Sequence, residues 1–250
     1  MAVYLNSVPP DAKLAEYEKV IAALEGSQVS PIADIQLRLQ YVDAVGLSGK
    51  NEGWEKGVGL LKELDSKSAQ TLGDQHPLVW QVKHRLGSRL VNVGRYEEAR
   101  LLLQEVYRWR RPRFGIDSRE ALATFTSLSE SMRSLNRLNK FSELDDVLKL
   151  DLLDRRNHSD HLRLFRELAL VLINLGRHRE AEVYLSKSVE LAKETLGETT
   201  RPALVLQSSL ADLHVNFGDY DRAAVLLTDV IAKADGHAQF SVQDLSLIHI

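Results

Sequence analysis

The chain has 250 residues, of which 44% are hydrophobic and 27% are charged, and its formal net charge is −3. That balance fits a soluble helical protein, and it provides no polycationic surface for nucleic acid or membranes. The chain contains no cysteine, which excludes disulfides, thiolate metal sites and a cysteine nucleophile and fits a reducing compartment. No apolar run approaches the roughly 18 residues that span a bilayer, and no secretory signal is evident. We therefore predict a soluble, cytoplasmic protein without nucleic-acid binding or membrane insertion.

Apolar residues recur at spacings of three and four, which predicts an all-α fold. An opening helix over 10–25 is predicted to act as a capping helix or half-repeat within residues 1–30. Five helix pairs follow over 31–234. Their predicted bounds are 31–48 with 54–71, 77–93 with 96–112, 117–138 with 141–153, 159–175 with 178–195, and 201–217 with 220–234. Residues 235–250 lose the pattern and are predicted to form an irregular tail, whose last residues, Ser246–Ile250, resemble translated sequencing-adapter sequence.

The helix pairs share a corner motif, in which one helix ends, a tight turn follows and a second helix begins. The turn glycines are Gly94, Gly176 and Gly218, placed where a left-handed residue commonly follows a helix. An aromatic or imidazole ring two residues later is expected to lie in the core, and a small residue three further on leaves room for a neighbouring helix. The ring position holds Trp54, Tyr96, Phe141, His178 and Tyr220, separated by 42, 45, 37 and 42 residues. The small-residue position holds Gly57, Ala99, Leu144, Ala181 and Ala223.

The third pair, around 117–153, departs from the motif. Asn139 is predicted to replace the turn glycine, because asparagine tolerates the left-handed region. Leu144 replaces the small residue, so the helices there are expected to splay or repack. In other pairs, a Leu-Gly dipeptide is predicted to end the long second helix. It occurs at Leu72-Gly73 and Leu196-Gly197.

The motifs Gly94-Arg-Tyr-Glu-Glu-Ala99, Gly176…Glu180-Ala181 and Gly218-Asp-Tyr220…Ala223 resemble the tetratricopeptide repeat. The 42-residue period and the Leu72-Gly-x-x-His-Pro77 loop are similar to the kinesin-light-chain type. The resemblance implies a right-handed superhelical solenoid of antiparallel helix pairs, with about 11 helices and a concave peptide-binding face lined by the first helices.

This resemblance predicts a non-catalytic protein–protein interaction scaffold or adaptor that binds a peptide segment of a partner in its concave groove. The alternative is a sensor-arm fragment of a larger signalling ATPase or regulator. The chain itself contains neither coiled-coil heptads nor a phosphate-binding Gly-x-x-x-x-Gly-Lys-Ser/Thr loop.

Two sets of side chains are candidates for binding a protein or peptide partner, which the basic residues suggest is acidic. The first set consists of polar residues on the first helices that are predicted to face the concave side or its rim. They are Lys83, His84, Ser88, Arg133, Arg163, Arg166 and Asp212. The second set is the basic patch Arg108, Arg110, Arg111 and Arg113. Its arginines are either a site for an acidic or phosphorylated peptide or a solvated helix end that offsets the helix dipole.

No pattern points to catalysis, a cofactor or a metal. His158-x-x-His161 lacks the glutamate of His-Glu-x-x-His and any clear further ligand. The acidic run Asp145, Asp146, Asp151 and Asp154 fits an exposed helix face. No nucleophile or dinucleotide motif is present. We therefore predict that the protein is not an enzyme.

Overall fold

The computed structural model describes residues 10–24, 29–47, 51–141, 143–150 and 159–235. Every regular element in these ranges is helical, which confirms the predicted all-α class. The eleven α-helices of the described residues are α1 (Pro10–Leu24), α2 (Pro31–Leu47), α3 (Asn51–Leu72), α4 (Pro77–Asn92), α5 (Tyr96–Phe114), α6 (Arg119–Ser134), α7 (Glu143–Leu148), α8 (Ser159–Asn174), α9 (His178–Leu196), α10 (Arg201–Asn216) and α11 (Tyr220–Asp235). The tail 235–250 lies outside the described residues apart from Asp235.

The chain forms two compact units, Met1–Leu135 and Asn136–Ile250. In the first unit, each helix from α1 to α6 packs against the next, and α4 also contacts α6. In the second unit, α8 packs on α9, α9 on α10 and α10 on α11. The sequence pattern does not predict a division at this point, because the repeated motifs continue on both sides of it.

The turns within the helix pairs close with a recurring hydrogen-bond pattern. Gly94 has a φ of +78°, and the Arg95 N–H donates across it to the Leu90 carbonyl oxygen at 2.9 Å. This six-residue closure is the Schellman arrangement, which satisfies carbonyl groups at the end of a helix. Gly176 and Gly218 also have positive φ values and the same closure. A side chain at these positions would be strained by the left-handed backbone.

The third corner differs from the prediction. The left-handed residue is Asn136, with a φ of +53°, and α6 ends at Ser134. Asn139 instead lies in a short 3₁₀ turn at Leu138–Lys140, so the prediction for Asn139 was wrong. Because both asparagines tolerate left-handed backbone, residue type alone did not distinguish them.

Placing the turn at Asn136 changes the alignment of this pair. Leu138 then stands 42 residues after Tyr96, at the ring position, and Phe141 stands where the regular pairs have alanine. Phe141 is buried. Of the helix predicted over 141–153, the described residues contain the six residues of α7. The assignments of Phe141 to the ring position and of Leu144 to the small position were therefore wrong.

The alanines Ala99, Ala181 and Ala223 are all buried. The burial of the residues at the ring position varies. Trp54, Tyr96 and His178 are only partly buried, and Tyr220 is 67% exposed. The expectation of a core position was wrong for Tyr220, since no helix follows α11 in the described residues.

Candidate functional site

The predicted peptide-binding residues lie on the first helices of the pairs. Lys83, His84 and Ser88 are on α4 and Arg133 is on α6, all in the first unit. The second unit holds Arg163 and Arg166 on α8 and Asp212 on α10. We therefore describe them as two separate surfaces.

Three of the α4 residues make contacts that hold helices together. The Lys83 ammonium lies 3.2 Å from the Asp65 carboxylate on α3. The Ser88 hydroxyl is 3.0 Å from the Ser127 hydroxyl on α6, and the His84 Nδ1 is 3.4 Å from the Thr124 hydroxyl. Because these side chains already have partners on neighbouring helices, they hold the helices together, and the structure gives no sign that they bind a ligand.

Two other arginines on α4, which are not among the predicted peptide-binding residues, form a more open cationic site. Arg85 lies 3.2 Å from the Asp43 carboxylate on α2 and is 45% exposed at its side chain. Arg89, one turn later, is half-buried and lies against Gly57, about 3.7 Å from the place where a Cβ would stand. The Arg89 guanidinium forms no hydrogen bond and no ion pair within 4.0 Å in the described part of the chain, although it interacts electrostatically with Asp43. A Cβ at Gly57 would therefore make ordinary van der Waals contact with the Arg89 side chain.

Burial shifts the pKa values of both Asp43 and Arg89. It raises the pKa of the Asp43 carboxyl above its ordinary value, although the positive charges of Arg85 and Arg89 lower it. Burial likewise lowers the pKa of Arg89, which Asp43 opposes and Arg85 reinforces. Two guanidinium groups share a single nearby carboxylate, so the site has a surplus positive charge and free N–H donors. Such an arrangement suits a carboxylate or phosphate group of a ligand.

In the second unit, Arg163 and Arg166 are both exposed on α8. They are three residues apart, which places them on neighbouring positions of one helix face. The Arg166 guanidinium forms no hydrogen bond or ion pair among the described residues. Asp212 on α10 is half-buried.

The predicted basic patch does not form a single surface. Arg110 is 6% exposed and donates to the Glu120 carbonyl oxygen at 3.0 Å and to the Thr124 hydroxyl at 2.8 Å. Burial lowers the pKa of Arg110 to about 10, so its guanidinium remains protonated at neutral pH and links α5 to α6. Including Arg110 in an exposed site was wrong, because the sequence does not reveal which side of α5 faces α6.

The other three arginines have different surroundings. Arg113 lies over the Trp109 ring, 4.4 Å from its centroid, and donates to the Gln75 side chain at 3.3 Å. Arg108 and Arg111 are exposed, and Arg111 and Arg113 lie in the last turn of α5. Positive charge at that end offsets the helix dipole, as the second interpretation of the basic patch proposes.

No group of three or more histidine, aspartate and glutamate side chains among the described residues is arranged to hold a metal ion. His158 and the side chain of His161 lie outside the described part. Asp145 is exposed and pairs with Arg177 at 3.1 Å, while Asp151 and Asp154 are not described. None of the described helices has both the length and the hydrophobicity to cross a membrane.

Comparison with known proteins identifies the repeat. Residues 160–235 match the tetratricopeptide repeat family model. A search of curated proteins found no match. The kinesin light chain candidate of Podosopora anserina, with nearly identical TPR-like repeats, has a similar structure, with a TM-score of 0.65 and 24% identity over 82% of this chain and 98% of that chain.

Two further solved structures share the arrangement of helices. BtubC (BKLC) from P. vanneervenii has a TM-score of 0.70 and 12% identity, covering 94% of each chain. The MamA RS-1 ArsTM double mutant has a TM-score of 0.54 and 15% identity, covering 82% of this chain and 97% of that chain. At these identities the likeness concerns the fold.

The chain is therefore a helical-repeat protein built from antiparallel helix pairs. The repeats over residues 160–235 match the tetratricopeptide repeat model, as the corner motifs predicted, and the fold of the chain is shared with solved kinesin-light-chain-like repeat structures. Folds of this type are generally protein–protein interaction scaffolds and typically carry no catalytic activity.

Proposed function

We propose that this protein is a non-catalytic scaffold that binds a segment of a partner polypeptide on the faces of its first helices. Acidic side chains of the partner bind Arg85 and Arg89 in the first unit and Arg163 and Arg166 in the second. We place this activity in the cytoplasm, in keeping with the cysteine-free sequence. The alternative, a sensor arm of a larger signalling ATPase, would use the same faces.

The proposal rests mainly on Arg89. Its side chain is half-buried, and its guanidinium has no hydrogen-bond acceptor among the described residues. Burying a cation is costly unless a partner compensates for the lost hydration. A ligand carboxylate would supply that compensation through charge-assisted hydrogen bonds, each worth roughly 1.5–3 kcal/mol. Exposed Arg85 beside it gives the carboxylate a second donor group.

The test is binding of a fluorescent library of acidic peptides to the full chain, measured by anisotropy. The variants are Arg85→Gln with Arg89→Gln in the first unit, and Arg163→Glu with Arg166→Glu in the second. A matched control replaces Arg108 and Arg111, two exposed arginines on the second helix α5, with glutamate.

We expect the first-helix variants to weaken binding by about tenfold or more, which corresponds to roughly 1.4 kcal/mol, and the α5 control to bind nearly as the parent does. The same far-UV circular dichroism for all variants would show that folding is intact. Equal losses in the control and the first-helix variants would contradict the proposed faces.

A further inference from the structure

The cationic site of Arg85 and Arg89 contains an anion of its own, the carboxylate of Asp43. Asp43 on α2 and Arg85 on α4 stand 42 residues apart, which is one repeat period, so they occupy corresponding positions on successive first helices. The Arg85 guanidinium lies 3.2 Å from the Asp43 carboxylate, and the two side chains are 45% and 38% exposed. A ligand that binds Arg85 therefore comes close to the negative charge of Asp43.

The charges around this carboxylate do not cancel. In the described part of the chain, the charged groups that act on Asp43 are Arg85 and Arg89, and those that act on Arg89 are Asp43 and Arg85. Arg85 also acts on Arg110, where Glu120 acts in the opposite direction. Two positive charges thus face one negative charge, and one positive charge is unmatched.

The corresponding positions of the next first helix carry no charge. One repeat period after Arg85 and Arg89, α6 carries Ser127 and Ser131, and both serines are buried. The Ser127 hydroxyl is 3.0 Å from the Ser88 hydroxyl, and the Ser131 hydroxyl donates to a backbone carbonyl oxygen of α6 itself at 2.7 Å. These positions therefore add no cation to the site, which keeps its single unmatched charge.

The charge of a ligand decides how strongly Asp43 affects its binding. An aspartate or glutamate side chain carries one negative charge, whereas a phosphorylated serine carries about −1.5 to −2 at pH 7. Attraction to the site grows in proportion to the charge of the ligand, but the cost of removing the ligand from water grows with the square of that charge. A phosphate group therefore needs a more positive site than a carboxylate does, and Asp43 makes the site less positive.

We propose that Asp43 makes the cationic site selective for a single carboxylate over a phosphate group, so that the partner segment is recognised through an aspartate or a glutamate. This inference rests on the proposed function, because it specifies the ligand of the same arginines. In this arrangement Arg89 binds the ligand carboxylate, and Arg85 donates to both that carboxylate and Asp43. A guanidinium has five N–H donors, so Asp43 keeps its place when the ligand binds.

Binding of matched peptides to the full chain tests this selectivity. The parent carries Arg163→Gln and Arg166→Gln, which removes the proposed site of the second unit. The probes are arrayed fluorescent peptides, each made in three versions with glutamate, phosphoserine or glutamine at the central position. Anisotropy measures their affinities at about pH 7.5, where phosphoserine is doubly charged. We expect the glutamate version to bind about threefold more tightly than the phosphoserine version, and more tightly than the glutamine version.

Asp43→Asn removes the negative charge from the site. We expect it to strengthen binding of the glutamate version by about threefold and of the phosphoserine version by about tenfold, because a doubly charged ligand gains about twice the free energy from the same change in potential. The preference for the carboxylate is then lost. Asp43→Glu keeps the charge and is expected to keep the preference.

The matched control is Asp34→Asn, which removes the same charge from the same helix. Asp34 also pairs with an arginine, Arg38, at 2.8 Å, but it stands nine residues before Asp43, about 14 Å along α2, where salt screens its charge from the site. We expect this control to leave the preference unchanged, with the same far-UV circular dichroism for all variants.

Three results would overturn the inference while the proposed function stands. They are a parent that prefers the phosphoserine version, an unchanged preference in Asp43→Asn, and equal effects of Asp34→Asn and Asp43→Asn. Equal binding of the glutamate and glutamine versions by the parent would instead contradict the proposed function, and the inference with it.

Discussion

At the scale of single residues, a close contact between α4 and α5 depends on Gly87. A Cβ built on Gly87 would lie 2.6 Å from both Cγ and Cδ2 of Leu103, and Leu103 is fully buried. The contact reaches the branch point of the leucine and not only its tip, so rotation of a methyl group cannot relieve it. Glycine is therefore required where α4 meets α5.

We predict that Gly87→Ala destabilises the protein by about 1–2 kcal/mol, because overpacking outweighs the gain in helix propensity. Urea denaturation followed by tryptophan fluorescence measures this, since Trp54, Trp80 and Trp109 all lie in the first unit. Gly59→Ala on α3 is the control. It has no atom within 4 Å of its Cβ position and should stabilise by about 0.5–1 kcal/mol. The same sign of change in both variants would contradict this account of Gly87.

Arg110 provides a second prediction at this scale. Arg110→Ala removes two charge-assisted hydrogen bonds to α6 and the packing of the aliphatic stem. We expect a loss of about 2–3 kcal/mol in unfolding free energy. Arg108→Ala, an exposed neighbour on the same helix, should change stability by less than about 0.5 kcal/mol. Comparable effects of the two substitutions in chemical denaturation would show that Arg110 is not a structural link.

At the scale of elements, the helix pairs were predictable where their corner residues are distinctive. Glycine at the turn and alanine three residues into the second helix placed α4 with α5, α8 with α9 and α10 with α11 to within about two residues. The third corner was misplaced because its signals are ambiguous, with Asn136 and Asn139 three residues apart and no glycine. The ring at residue 141 looked like a corner aromatic but occupies the alanine position.

The candidate site was less predictable than the fold for a related reason. Helical spacing identifies which residues share a face, but not which neighbouring helix that face meets. Arg110 was therefore taken as exposed although it contacts Thr124. Arg89 was not among the predicted peptide-binding residues, because the sequence does not show that its side chain lies against Gly57 of the preceding repeat.

The short helix α7 should be the least stable element of the second unit. It has six residues, too few to be helical without tertiary support, and only Leu144 and Val147 are buried within it. We predict that amides in α7 exchange with solvent at least tenfold faster than those in the middle of α9, because local opening there costs less free energy. Hydrogen exchange resolved by NMR measures both in one sample. Equal protection of the two helices would contradict this prediction.

At the scale of the whole molecule, each unit gains its stability from contacts between neighbouring helices, as in other repeat proteins. The first and second helices of the regular pairs differ in the residues they carry. The second helices α5, α9 and α11 carry the buried alanines of the corner motif, and the first helices α4 and α8 carry the arginines of the proposed site. In the proposed function, the first helices bind the partner while the second helices maintain the stack.

The most direct test of this division is hydrogen exchange of the full chain with and without a bound acidic peptide, selected by the anisotropy assay. The account predicts protection on binding in the first helices that carry the arginines, α4 or α8, and no change in the second helices α5 and α9. Protection concentrated in α5 and α9, with α4 and α8 unchanged, would contradict it.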